Sequence, residues 1–400
     1  MPESNKEESV MVYDVASVRG LYTSLGDGWT YLNAHDCPQI PERVSASVAR
    51  SFRQSSRVAA DDGTVRVVGD MLLDVARTAV AEFCDAEASQ VVLGPNLQAL
   101  YGQLARAMQP MFRYSSSIVL SRLDAPERNA VFETLTEDVR WAQPDLGTGS
   151  LPSWQFRELV DGSTRLVTLS AAQSYLGTVA PVADIVDTVR SRSRAWVVVD
   201  ASAFAPYRSV DLEGWGADIV ALDVAEMGGP QMAALVFRDP AMFRRIDPLV
   251  EQDLVPGLAG GVPAVIDHLA GLVEGFGHRH RQVADSLQQM HFYLQGLMDD
   301  LITMIGTHHS VHLVGISGEA GDGGLGERIP RLSFAVRGVP ATTVCQRLSD
   351  NGIITTVLPD MEVFDEMGVD EVGGAVTVSL GPFNTRHDIE HLTRVVASLA

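Results

Sequence analysis

Lysine is almost missing from this chain. Of its 30 basic residues one, Lys6, is a lysine and all the others are arginines. An imine with an aldehyde needs a side-chain amine, so such chemistry would rest on one residue of a polar N-terminal tail, where chains are commonly mobile. Cysteine is scarce as well. Cys37, Cys84 and Cys345 are far apart and odd in number, which gives neither a disulfide framework nor a zinc spacing; all three are expected as small buried apolar residues. No apolar run approaches the ~18–20 residues that span a bilayer. The opening MPESNKEESV has no apolar segment of the signal-peptide kind, so the expectation is a cytoplasmic protein with no membrane partner. Positive charge is also short. The net charge of −21 argues against nucleic acid, whose phosphates are bound by Lys and Arg. It favours solubility and repels anions at long range.

What is present reads as a globular chain. At roughly 100–200 residues per domain, 400 residues predict two domains. The short runs SSIVLSRL, DVRWAQ, TRLVTLSAA, AWVVVDAS and DIVALDV are rich in β-branched residues. Several are separated by helical patterns such as PVADIVDTVRSRS. Continuous apolar strands alternating with helices predict a mostly parallel sheet covered on both faces. DIVALDV and AALVFRD have only a short link, which predicts an antiparallel pair. The stretch from about Pro263 to Ile305 reads as long helices with breaks near Gly275 and Gly277. The Gly-rich GEAGDGGLGER is followed by a strand, not a helix, and fails the context test for a phosphate loop. His278 and His280 fall about 200° apart on a helix, so no shared metal site is expected, and none is expected elsewhere.

The stretch DIVALDVAEMGGPQMAALVFRD, Asp218–Asp239, carries the chemistry. It reads strand, turn, strand, with Asp223 and Glu226 at the turn ahead of Gly228, Gly229 and Pro230. With WVVVDASAFAPYRSVDLEGWGA before it, this block resembles the core of the class V aminotransferase and cysteine desulfurase family, fold type I enzymes dependent on pyridoxal phosphate (PLP). TYLNAHDCPQIPERV, VVLGPNLQAL, LVTLSAAQSYLGTVAPVADIV and GIITTVL…VTVSLGPFNTRHDIEHL resemble further family segments in the family's order, from about residue 20 to the end. The resemblance implies an α/β fold: a mostly parallel seven-stranded sheet with helices on both faces, plus a small α+β C-terminal domain. The corresponding boundaries are an N-terminal tail and arm over 1–30, a large domain over 31–260, connecting helices over 261–305 and the small domain over 306–400.

The family's site residues do not carry over. Counting back from Gly229-Pro230, Glu226 stands at the Schiff-base lysine, Ala225 at the preceding His and Asp223 at the Ser. Ala125 and Pro126 lie where a His stacks on the pyridine ring. Ser174, next to Gln173, takes the place of a ring-contacting Asn, and Ala203 that of a Gln. Pro95 and Asn96 replace the phosphate-turn hydroxyls, while Gly94 is kept. Gly261-Val262-Pro263 resembles a Gly-Thr-Pro that reaches a phosphate across the dimer. Thr377 stands for the Arg that grips a substrate carboxylate, and VLPDMEVFDEMG has no cysteine. Asp200, the partner of the pyridine nitrogen in the family, remains; a strand-end Asp also accepts N–H bonds from the following turn.

Three readings follow. The chain has lost PLP catalysis and serves as a scaffold or partner, in a homodimer or with an active paralogue. Or it is an enzyme with lysine-independent chemistry at Glu226 and Asp223, two carboxylates that push each other's pKa apart. Or it binds PLP without covalent attachment. No covalent cofactor is expected.

Overall fold

Strands buried on both faces are mostly apolar, and the runs WVVV at 196–199 and AALVF at 233–237 in the main sheet are wholly so. The computed structural model describes residues 13–61, 64–316 and 328–399. Lys6 and the Gly-rich expectation at 318–327 lie outside them. In chain order the strands are β1 Thr30–Tyr31, β2 Val58–Asp61, β3 Thr64–Val67, β4 Val91–Gly94, β5 Ser117–Ser121, β6 Asp138–Ala142, β7 Thr164–Ser170, β8 Trp196–Asp200, β9 Ile219–Asp223, β10 Ala233–Phe237, β11 Val311–Leu313, β12 Arg331–Val336, β13 Ile353–Ile354, β14 Thr356–Val357 and β15 Val376–Ser379.

Seven of them form one sheet in the order β4-β10-β9-β8-β7-β5-β6. β10 runs antiparallel to both of its neighbours, as its short link to β9 predicts, and the pairings from β9 to β6 are parallel. Alternate residues of one strand enter different cores. Val197 and Val199 of β8 join the larger apolar cluster, whereas Trp196 and Val198 join a second one on the opposite face. This two-sided burial is why β8 reads WVVVD without polar alternation.

A second, antiparallel sheet has the order β11-β12-β15-β14. The run IITTVL holds two short strands, β13 and β14. β13 pairs in parallel with β1, and β14 pairs with β15. The helical stretch is two helices, Gly261–Ala270 and Arg279–Gly306, broken around Gly277, whose φ of 122° suits glycine. Of the cysteines Cys84 is buried and Cys345 half-buried, but Cys37 is exposed. The expectation of burial fails there because Cys37 lies in the turn after β1 rather than on a core face. Among the described residues no helix is long and apolar enough to cross a membrane.

Candidate functional site

Parallel strands end together, and the crevice beyond their carboxyl ends is where open α/β sheets bind ligands. Ser170 and Asp200 pair at the ends of β7 and β8, and Asp223 ends β9. Both acids secure the turns that follow. Asp200 Oδ1 accepts the Ser202 N–H at 2.9 Å and Asp223 Oδ1 accepts the Ala225 N–H at 2.9 Å, the i to i+2 bond characteristic of Asp at a turn. Both residues line a pocket of about 350 Å³, together with, among others, Tyr101, Arg128, Gln173, Ser174, Ala203 and Glu226.

The turn after β9 is a single 3₁₀ turn, Ala225–Met227, closed by Gly228 at φ 81°. A Cβ on Gly228 would sit 2.8 Å from the Gln39 carbonyl oxygen, so conformation and space both require glycine. Here Glu226 finds a partner that the sequence did not reveal. Arg331, the first residue of β12, donates from Nη2 to Glu226 Oε2 at 2.7 Å and from Nη1 to the Ser174 carbonyl at 3.2 Å. The Arg331 side chain is 0 % exposed, that of Glu226 21 %, and the guanidinium lies 5.4 Å from the Tyr207 ring centroid. Glu226 is therefore half of an ion pair.

Asp200 is engaged in the same way. Its Oδ2 accepts from the Tyr101 hydroxyl at 2.8 Å and from Arg128 Nη1 at 3.1 Å. Arg128 is also ion-paired with the buried Asp124, four residues earlier and ahead of the helix Pro126–Glu133. Asp124 accepts the Ser170 N–H at 3.0 Å. Burial raises its carboxyl above the usual range, against the lowering effect of Arg128. Among the described residues Asp223 has no basic partner of this kind. Burial pushes its carboxyl up to about 6 against the Ala225 hydrogen bond, and the Glu226 and Asp200 charges add to the rise.

The other sequence candidates take structural roles. Asn96 caps the helix Leu97–Met108 by accepting the Ala99 N–H at 2.8 Å. Gly94 is needed where that helix starts, since a Cβ would meet Leu100 at 2.5 Å. Gln173 Oε1 accepts the N–H groups of Tyr175 and Leu176, while Ser174 offers its carbonyl to Arg331. Ala203, Ala125 and Pro126 line the pocket without a polar side-chain group. Thr377 is buried against Ser333, its hydroxyl 2.8 Å from that of Ser333, and presents no charge. Gly261 begins a helix packed against Pro230 of the turn. The segment VLPDMEVFDEMG covers the mouth: Pro359, Asp360 and Met361 line the pocket, and Glu362 pairs with Arg122 at 2.5 Å. His35, with Nδ1 2.6 Å from Ser379 Oγ and Nε2 2.6 Å from Thr356 Oγ1, is pushed down to about 3 by burial and Arg331, so it stays neutral. Among the described residues no cluster of His, Cys, Asp and Glu could hold a metal.

Sequence reading placed the pocket by the turn and missed Arg331, Arg128 and Tyr101. The signals for the two arginines were present: an arginine opening the otherwise apolar strand RLSFAV, and an Asp and Arg four residues apart in DAPERN.

The pKa of Asp223 sets a testable sign. A carboxyl near 6 in the folded state and near 3.8 otherwise binds its proton more tightly when folded. Its unfavourable contribution is absent below about pH 4, grows as pH rises through the window up to about 6 and is complete at neutrality. Asp223→Asn is expected to raise stability at pH 7 by on the order of 2 kcal/mol. Urea denaturation at pH 4 and pH 7 checks this; an equal effect at both would remove the titration as its cause.

A family model described as aminotransferase class V matches residues 30–249. An uncharacterized protein of Mycobacterium tuberculosis is 38 % identical over 97 % of this chain and 100 % of that protein. A probable cysteine desulfurase of Pseudomonas aeruginosa is 23 % identical over 91 % of this chain and 92 % of its own. The crystal structure of the cysteine desulfurase CsdA from Escherichia coli superposes with a TM-score of 0.79 at 15 % identity, covering 97 % of this chain and 98 % of that one, a likeness of fold.

Proposed function

The chain belongs to the aminotransferase class V family, and on that premise we propose that it no longer carries out PLP Schiff-base chemistry and acts as a non-catalytic scaffold or dimer partner. The observation that carries this reading is the Glu226–Arg331 ion pair at the turn where the family holds its lysine. A carboxylate cannot condense with an aldehyde, and this one is committed to a buried cation. The pocket residues also fit PLP poorly. The Asp200 oxygen facing the pocket is taken by Tyr101 and Arg128. Among the described residues Arg128 is the only basic one of the lining, and it is itself paired with Asp124 and Asp200. Glu127, Asp223, Glu226 and Asp360 share the lining, so a phosphate dianion would meet mostly like charge.

Adding PLP to the purified protein is expected to give no imine absorbance band, and Glu226→Lys is expected to restore little of it. A yellow protein that loses its colour on reduction would contradict the proposal. Equilibrium dialysis with PLP addresses attachment without a covalent bond, where retention of the cofactor would favour that reading instead.

One observation favours a second reading, lysine-independent acid–base chemistry. Asp223 opens on the pocket with its pKa near neutrality, where a proton-transferring group is most effective. Asp223 rather than Glu226 would then transfer the proton. Asp223→Asn abolishing a measured turnover in a folded protein is the result that this reading requires.

For the partner, the exposed apolar side chains Phe52, Val58, Val67, Val75 and Val255 support a face that pairs with a second copy of the chain. Light scattering is expected to give a dimer for the native protein and a monomer for Phe52→Asp. A native monomer would leave the heterodimer with a relative as the alternative.

A further inference from the structure

The opposite edge of the main sheet carries the reverse charge. Around the N-terminal ends of β7 and β8, Arg165, Arg192, Arg194 and Arg245 line a pocket of about 570 Å³ with Met111, Gly162 and Ser193, and no carboxylate is among its walls. In a chain of net charge −21, four arginines together without an acid are unexpected. Among the described residues none of the four has a carboxylate partner.

Three of the four are nevertheless held in place. Arg165 Nη1 donates to the carbonyls of Gly162 and Thr164 at 2.9 and 3.0 Å, and Arg192 Nε donates to the Val160 carbonyl at 2.9 Å. The Arg245 guanidinium lies 5.3 Å from the centroid of the buried Trp196 ring. Carbonyls and a ring orient a guanidinium without neutralising it, so full charge remains for a ligand. The C-terminus of the helix Val182–Arg192 accounts for Arg192 through its dipole, but not for the other three. Arg245 also borders a separate groove whose walls include Asp85, Glu87, Glu213, Asp218 and Asp239; of these Asp218 is paired with Arg190 and Arg238, and none lines the four-arginine pocket.

We propose that this pocket binds small molecules carrying two or more linked phosphates, at a site separate from the cleft at the strands' carboxyl ends. Arginine forks match phosphate oxygens two at a time. One phosphate carries about −1.5 to −2, so four guanidinium groups match a diphosphate or triphosphate better than a single phosphate. A small ligand feels the local arginines, because charges beyond about 8 Å are largely screened at physiological salt. A nucleic acid would extend over the surrounding acidic surface and be repelled. The assignment does not depend on whether the cleft is catalytic.

The test is calorimetric titration of the full chain with sodium pyrophosphate and with adenosine diphosphate at fixed ionic strength. Saturable one-site binding is expected. Tight binding of pyrophosphate supports recognition of the phosphates alone, and tight binding of the nucleotide only supports a nucleoside diphosphate as the ligand. Arg194→Gln is expected to weaken binding about tenfold, and Arg192→Gln with Arg194→Gln about a hundredfold, one charge-assisted contact for each arginine lost. Asp223→Asn, at the other edge, is expected to leave binding unchanged, and thermal melts of the variants confirm that they fold. Absence of saturable heat with both ligands overturns the proposal. So does equal affinity for orthophosphate, or affinity unmoved in the double arginine variant.

Discussion

Replacing Arg331 by methionine is expected to lower stability at neutral pH by about 3 kcal/mol, measured as a drop in the urea midpoint at unchanged slope. The guanidinium is wholly buried and serves Glu226 and the Ser174 carbonyl at once. Methionine fills much of the volume but strands the carboxylate. Removing one partner of a buried pair costs roughly 3–5 kcal/mol, because the other charge stays desolvated. The low end applies here, since Glu226 keeps about a fifth of its side-chain surface in contact with solvent. Substituting both partners, Glu226→Leu with Arg331→Met, is expected to recover most of the loss, as apolar replacements of buried pairs are often neutral or stabilising. A double variant no more stable than Arg331→Met would mean that the deficit comes from lost packing against Tyr207 and not from the stranded charge.

The second large effect belongs to Arg128. Arg128→Leu removes the cation that pairs with Asp124 and Asp200 beside Tyr101, and is expected to cost about 3–5 kcal/mol at neutral pH. Asp124 then lies buried without its ion-pair partner, and its carboxyl, already raised by burial, rises further. A carboxyl with a raised folded-state pKa binds its proton more tightly in the native state, so the loss of stability grows as pH rises above the unfolded value and fades as pH falls. The deficit of Arg128→Leu should therefore be clearly smaller at about pH 4.5 than at about pH 8. Adding Asp124→Asn should recover part of it at the higher pH and little at the lower. A deficit independent of pH would assign the role of Arg128 to packing alone.

Both arginines show where a linear reading stops. The main sheet was legible because a strand buried on two faces is mostly apolar, and WVVVD and IVALD state that condition locally. The antiparallel return of β10 followed from a link too short for a crossover. The turn at Gly228-Gly229-Pro230 was legible because its conformation restricts the residue types allowed. The division of IITTVL was not: β13 and β14 pair with strands far away in sequence, and nothing in the run itself marks the break. Exposure of Cys37 also escaped, since composition gives an average burial and not the position of one turn.

At the site, the chain by itself determined that no lysine stands at the turn, that acids close β8 and β9, and that each acid can bind the N–H two residues ahead. These are properties of residue identity and of neighbouring peptide groups. Only the tertiary structure decided which acids are neutralised. Glu226 meets an arginine 105 positions away, Asp200 meets one 72 positions away, and Asp223 meets none among the described residues, where burial raises its carboxyl to about 6. Coulomb energy depends on distance through space and on exclusion of water, and packing sets both.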